Sequence, residues 1–380
     1  MPPVSDAKSS GAIPSLDGIR AVSILIVFVA HLGYDNIVPG GLGVTVFFFL
    51  SGYLITTLLR RELAKNGAIS LPQFYLRRVL RILPPLYLIV GGATLLAVVG
   101  IINSPIELKA VLAQALQFTN YFAIINGSDG GIVPGSSVLW SLAVEEHYYL
   151  IFPLVFAGLS RSKLTRHSQA AVLLLAIAVG LCWRIWLQQH GALTVRTYTA
   201  TDTRFGSILW GCVLALWHNP AEDMAEATSS ERRNWLWIGL PIGAILMVLS
   251  LSFRSEFFRE TFRYDLQGLA LVPLFVGAVR WPEFGPFRLL NSWAAVWLGR
   301  LSYSLYLVHH IVIEQLVLKL PEAHPLIIGT LAMVISLAVA LVVYHFVDLP
   351  LGKLRTSLHK PAKTRQTPTD SSTSMSGIVE

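Results

Sequence analysis

The sequence predicts an all-α, polytopic membrane protein of about ten transmembrane helices, and three observations carry that prediction. Hydrophobic residues fill 54% of the 380 positions, more apolar surface than one water-soluble core can hide. Charged residues make up only 13%, against about 25% in soluble domains, and mean hydropathy is +0.60. Apolar runs near the roughly 20 residues needed to cross a hydrocarbon layer recur along the chain between short polar breaks. This composition excludes a disordered chain, a collagen-like repeat and an ordinary cytosolic enzyme. Two cysteines exclude a disulfide scaffold and a cysteine-based zinc site. The net charge of +7 is scattered between apolar runs rather than gathered on one face, so a lipid bilayer and not nucleic acid is the expected partner.

The elements follow in order. Residues 1–13 read as a short polar leader without a signal-peptide cleavage site. Spans are expected at 16–33, 43–59, 82–102, 138–158, 169–187, 205–218, 235–252, 265–279, 293–317 and 325–347, within one transmembrane domain over 14–350. The sixth and eighth are short for a bilayer, which calls for tilt, a kink or shielding by neighbours. The loop over 103–137 is the longest on its side. Its stretch 106–118 has the pattern of an amphipathic interfacial helix, and 126–135 is a Gly-rich turn region. Residues 351–380, rich in Ser, Thr and Lys, read as a disordered tail, and no appended soluble domain or fixed-period repeat is expected. With the N-terminus inside, and Arg20 at the inner end of the first span counted as inner, 20 of the 29 Lys and Arg residues are inner and seven outer; Arg184 and Arg300 are the other two, inside spans. That bias predicts a multi-pass protein of the inner (plasma) membrane with both termini cytoplasmic.

Ionisable groups inside such spans are costly, so each is a candidate for function. On the first span Arg20 and His31 are 11 residues apart, roughly three helical turns plus 20°, so they share a face about 16 Å apart along the axis. Two readings fit: a snorkelling Arg with a His near the outer interface, or two members of one site. Arg77, Arg78 and Arg81 precede the third span. Arg78 and Arg81, at i and i+3, can converge on phosphate, while a positive-inside stop signal explains the same cluster. In the run from Trp140 to Tyr149, Ser141, Glu145 and Tyr148 or Tyr149 form a polar helical face; a solvated Glu at a helix start is the bland alternative. Asp202 and Arg204 read as a local ion pair at a membrane edge. A His within the stretch Tyr303 to His310 reads as structural, bonded to a neighbouring helix, in preference to catalytic. Asp348, before Pro350, reads as the end of the last helix. Cys182 and Cys212 look like thiols in apolar surroundings. No metal constellation appears.

Taken in order, these motifs resemble the bacterial acyltransferase-3 family of integral-membrane acyltransferases. The matching segments are Leu16-Asp17-Gly18-Ile19-Arg20 with ten residues to His31; Phe47-Phe48-Phe49-Leu50-Ser51-Gly52-Tyr53-Leu54-Ile55; Phe74-Tyr75-Leu76-Arg77-Arg78 through Arg81; Trp140-Ser141-Leu142 through Glu145 to Tyr149; Asp202-Thr203-Arg204; and Tyr303 through His309. The resemblance spans about 15–350. It implies a ten-helix enzyme that moves an acyl group, usually acetyl, from acyl-CoA to a hydroxyl of a sugar, glycolipid or other extracytoplasmic acceptor. It places the family's first-helix Arg and His on Arg20 and His31, its donor-linked arginine pair on Arg78 and Arg81, and its Ser/Thr-to-Glu motif on Ser141 and Glu145. His147-Tyr148 departs from the family's frequent Gln-Phe, and Asp348 stands near a position often held by Glu.

The expected chemistry is acyl transfer from a thioester to an alcohol. His31 is the expected general base, and Glu145 is expected to orient its imidazole and stabilise the imidazolium. Arg20 holds the donor or meets developing charge, Arg78 and Arg81 grip CoA phosphates, and Ser141 and Tyr149 complete the substrate-binding set. Acyl-CoA, with acetyl-CoA foremost, enters as co-substrate, and no permanently bound cofactor or metal is expected. The alternative class is a multi-span transporter of a small anionic or sugar-linked substrate, in which buried charges mark the pathway.

Overall fold

The computed structural model describes residues 13–127, 131–223 and 228–357. The expected leader, apart from Ile13, and the tail beyond residue 357 lie outside them. Helix α1 (Leu16–Val29) continues through a wide turn, Ala30–Tyr34. Helices α2 (Gly40–Asn66) and α3 (Leu71–Val98) follow. Two short helices, Leu108–Ala115 and Thr119–Asn126, lead to α4 (Trp140–Arg161) and α5 (Arg166–Gln189). Next come α6 (Thr201–Trp217), α7 (Leu240–Ser252) and α8 (Arg263–Arg280). Helices α9 (Trp293–Lys319) and α10 (Pro325–Val343) close the bundle.

Eight helical stretches are long and apolar enough to cross a membrane. The two expected spans outside that group are α6 and α8, with 17 and 18 residues. Both are sheathed by protein: α6 packs against α2, α5 and α8, and α8 against α7, α6 and α2. Shielding thus stands in for length, as the short sixth and eighth runs require. In contrast, α7 and α10 leave Ile242, Ile245, Val248, Leu326, Ile327 and Val334 exposed, an apolar surface suited to lipid.

Lipid gives helices no hydrophobic reason to associate, so close packing must hold them. Gly52 of α2 and Gly211 of α6 meet that need. A Cβ on Gly52 would run into the Ile208 carbonyl oxygen, and one on Gly211 into that of Phe49. This crossing fixes the neighbouring Ser51 side chain, which matters below. Buried polar ties finish the bundle. Arg184 of α5 pairs with Asp265 of α8 and donates to the Thr203 carbonyl. At the opposite end Asp223 takes a fork from Arg60 (2.6 and 3.0 Å), a contact from Arg166 (2.7 Å) and the Asn219 N–H (3.0 Å).

Three boundaries differ from expectation. The third span begins at Leu71, with Pro72 in its first turn, so Arg77, Arg78 and Arg81 lie on the helix itself and not ahead of it. The interfacial segment forms only over Leu108–Ala115; the left-handed backbone at Gln117 (φ 61°) breaks it before Thr119. Asp348 does not end the last helix: a wide turn, Tyr344–Asp348, accommodates Pro350, which lacks an N–H, and the chain stays helical over Leu349–Ser357. Residues 351–357 therefore do not belong to a disordered tail.

Candidate active site

A cavity of about 1570 Å³ opens between α1, α2, α3, α4, α9 and the segment after α10. Six of the seven expected site residues line it: Arg20, Arg78, Arg81, Ser141, Glu145 and Tyr149. Arg77, third of the arginine cluster, also borders the cavity but is held by Glu62 (2.9 Å). Arg20 pairs with Asp17 (2.5 Å), one turn away. Arg78 and Arg81 have no carboxylate oxygen within 4.0 Å among the described residues, and the Arg78 guanidinium lies over the rings of Tyr149 (5.1 Å) and Phe74 (5.7 Å). The mouth is further ringed by Arg61, Lys65, Lys353 and Arg355, so the cavity is a basic funnel.

Its depth is polar in a different way. Ser51 Oγ donates to Glu145 Oε1 (2.9 Å), and the Tyr149 hydroxyl lies 3.0 Å from Ser51 Oγ and 3.3 Å from Glu145 Oε2. Helical spacing accounts for this: Glu145 and Tyr149 are i and i+4, hence on one face of α4. Tyr148, one position earlier, turns away to Cys212 of α6 (3.2 Å). Ser141, one turn before Glu145, meets the Tyr306 hydroxyl of α9 (2.7 Å), and that hydroxyl also reaches the Val138 carbonyl (3.0 Å).

His31 is absent from this wall. It lies in the wide turn that extends α1, with Nδ1 3.0 Å from His309 Nε2. His309 is fully buried, and its Nδ1 is 2.8 Å from the Tyr306 carbonyl oxygen. The other face of the His31 ring meets His310, 4.1 Å between centroids. His310 in turn lines a second cavity, of about 720 Å³, together with Ser104, Glu107, Ser137 and Glu314. Its Nε2 is 3.3 Å from Glu314, and its Nδ1 3.2 Å from the Gly135 carbonyl oxygen. Tyr306 and His310 are four residues apart, about 6 Å along α9. The basic funnel ends at the first and the second cavity at the other, with His309 and His31 between.

Two expectations about roles are corrected by these contacts. Glu145 is bonded to Ser51 and Tyr149 in the funnel, and the group bonded to His31 is His309. Periodicity along α1 and α4 fixed which faces are polar but not the relative depth of residues on separate helices. Asp202 pairs with Arg196 (2.5 and 3.0 Å) and accepts from Trp183 Nε1 (2.7 Å), not from Arg204. Two positions apart on a helix point in roughly opposed directions, about 200°. Arg204 turns inward, wholly buried, with its guanidinium over Tyr264 (3.8 Å) and near Tyr198, Phe48 and Trp140.

The residues that sequence reasoning did not single out for a site are Ser51, Tyr306 and His309. Ser51 was visible as a hydroxyl inside an apolar run. His309 follows Tyr306 by one turn, a polar helical face that was legible, but its partner sits 278 residues away.

An all-helical bundle with a basic cavity that reaches carboxyl and hydroxyl groups, and a histidine pair beyond them, defines a polytopic membrane protein with a polar interior. The family model described as an acyltransferase domain matches residues 13–345, and the chain belongs to this acyltransferase-3 family. It is similar to the peptidoglycan O-acetyltransferase OatA of Listeria monocytogenes, with 29% identity over 90% of this chain and 56% of the relative. A Staphylococcus aureus (strain COL) protein named "Putative O-acetyltransferase" is 28% identical over 91% of this chain and 58% of its own length. The Bacillus subtilis "Putative peptidoglycan O-acetyltransferase YrhL" is 29% identical over 89% and 55%. The chain thus spans little more than half the length of these relatives. No solved structure matches it.

Proposed function

We propose that this protein moves an acyl group, acetyl in the first instance, from acyl-CoA at the arginine-lined mouth to a hydroxyl on the opposite face of the membrane. The observation that carries this reading is the approach of two cavities at one turn of α9, with His31 and His309 in the septum. The Lys/Arg bias supports a funnel on the cytoplasmic side of the inner (plasma) membrane, where acyl-CoA is found, with both chain ends on that side. Forked guanidinium hydrogen bonds suit CoA phosphates, and among the described residues Arg78 and Arg81 have no carboxylate partner within 4.0 Å to displace. The relatives' names point to a glycan of the peptidoglycan type as acceptor; a lipid-linked sugar offers the same hydroxyl chemistry.

In this reaction the acceptor oxygen attacks the thioester carbonyl, and the C–S bond breaks as the new C–O bond forms. The hydroxyl proton goes to His31. Arg20, at the funnel wall, faces the negative charge of the donor and of the collapsing intermediate. The departing thiolate takes the proton that His31 removed from the alcohol, which completes CoA–SH and returns His31 to its neutral form. The hydroxyls of Ser141 and Tyr306 close the funnel towards His31, so direct transfer requires the Tyr306 side chain to move aside.

The test is a transfer assay with purified protein in vesicles, radiolabelled acetyl-CoA and peptidoglycan glycan fragments. Label appearing on the glycan with stoichiometric release of CoA supports the proposal. Uptake of a labelled solute without CoA release would assign the two cavities to transport instead.

A further inference from the structure

We propose that His309 is the positioning residue that fixes His31 as a base, by holding it in the tautomer with a bare Nε2. This rests on the assignment of His31 as the base in acyl transfer, and it goes beyond it by saying what makes the ring competent.

Hydrogen-bond bookkeeping leads there. A backbone carbonyl only accepts, so the 2.8 Å contact from His309 Nδ1 to the Tyr306 oxygen requires the proton to sit on His309 Nδ1. A neutral imidazole carries one N–H, so His309 Nε2 presents a lone pair. The atom 3.0 Å from it, His31 Nδ1, must then donate. Neutral His31 is therefore protonated on Nδ1 and unprotonated on Nε2, the state a general base needs. When Nε2 takes the acceptor's proton, Nδ1 still donates to the same lone pair, so the bond survives the change of charge.

His309 is suited to this work by its place. It is fully buried, so water does not compete for either nitrogen. Its Nδ1 is anchored to its own helix, and α9 packs closely against α1, so ring placement is inherited from the bundle rather than from a loop. His31, by contrast, stands in a wide turn after α1, where backbone alone would leave χ1 and χ2 less constrained. The Phe28 ring, 6.1 Å from His309, closes one side. Among the described residues no carboxylate pairs with His31: Glu314 reaches His310.

Two isosteric variants separate the two bonds. Gln places its amide where Nε2 was and retains an acceptor for His31. Asn places its amide where Nδ1 was, keeps the tie to Tyr306 and loses the acceptor. With acetyl-CoA and glycan fragments, His309→Asn is expected to lower kcat on the order of 100-fold with KM for acetyl-CoA within about twofold. His309→Gln is expected to stay within about tenfold of the parent. Site-resolved nitrogen spectra of labelled histidines, in protein in bilayers without substrate, supply a readout independent of turnover. They should find the proton of His31 on Nδ1 in the parent and His309→Gln, and shifted towards Nε2 in His309→Asn. Equal activity of the two variants, a reversed order, or a parent His31 protonated on Nε2 overturns the proposal. The control His31→Ala distinguishes the layers. If it turns over normally, the base assignment falls and this inference with it; if it is inert while Asn and Gln at 309 behave alike, only the role of His309 falls.

Discussion

The two ends of α1 meet different kinds of site. At its start Arg20 opens into a wide funnel crowded with cations, where recognition is by charge and tolerates some play in the side chains. At its end His31 sits in a tight cluster of imidazoles, where the proposed base depends on a single proton position. Charge acts over several ångströms, whereas a tautomer depends on one hydrogen bond. Damage to the first region should therefore appear in KM and depend on salt, and damage to the second in kcat alone.

The largest effect that tests this contrast is on the base. His31→Ala should reduce glycan acetylation below detection while the protein keeps its elution profile and its affinity for acetyl-CoA. Next is the double change Arg78→Ala with Arg81→Ala. Removing the two proposed phosphate anchors should raise KM for acetyl-CoA by on the order of 100-fold with kcat changed much less, and added salt should mimic the effect on the parent. Equal loss of kcat would mean that the arginines act on the reacting atoms, which would blur the proposed division.

Ser51→Ala tests the depth of the funnel. It removes the hydroxyl linking Glu145 and Tyr149 without touching either cation or imidazole, and should cost about tenfold in kcat. Because Gly52 fixes the α2 and α6 crossing beside it, Gly52→Ala should lower both activity and yield of folded protein, whereas Ser51→Ala should leave the yield intact.

The smallest effect lies outside both regions. Asp223 sits in the connection after α6. Burial pushes its carboxyl up, but the Arg60 fork, the Asn219 N–H and Arg166 outweigh it and hold the group at about 2, below the ordinary 3.8. A carboxyl held low in the folded state stabilises fully above its ordinary pKa and loses that contribution as pH falls from about 4 towards 2. Solvent screens this exposed cluster, so Asp223→Asn should cost no more than about 1 kcal/mol near neutral pH. The gap in Tm from the parent should close on acidification over that window, with kcat at neutral pH unchanged.

Most of the fold could be read from apolar run length, because hydrocarbon thickness imposes one dimension on every span. The short α6 and α8 carried the same message in reverse: runs of 17 and 18 residues need neighbours, and both have them on several sides. The start of α3 was harder, since arginines interrupt hydropathy but not helix geometry, and the bundle lets them face a cavity. Six of the site residues were legible as polar groups on helical faces. The pairing of Glu145 with Ser51, and of His31 with His309, was not, because a helical period fixes direction around an axis but not depth against another helix. Arg204 shows the same limit: its neighbour in sequence suggested an ion pair, and its neighbours in space are four aromatic rings.

The central claim is that the acyl group crosses from the arginine side to the imidazole side, and sidedness tests it most directly. Protein is reconstituted in one orientation, with labelled acetyl-CoA supplied only at the Arg78 and Arg81 face and glycan fragments enclosed at the other. Label on the enclosed glycan, lost in His31→Ala, is the predicted result. Label only on glycan placed at the same face as acetyl-CoA, or trans-labelling that survives His31→Ala, would contradict it.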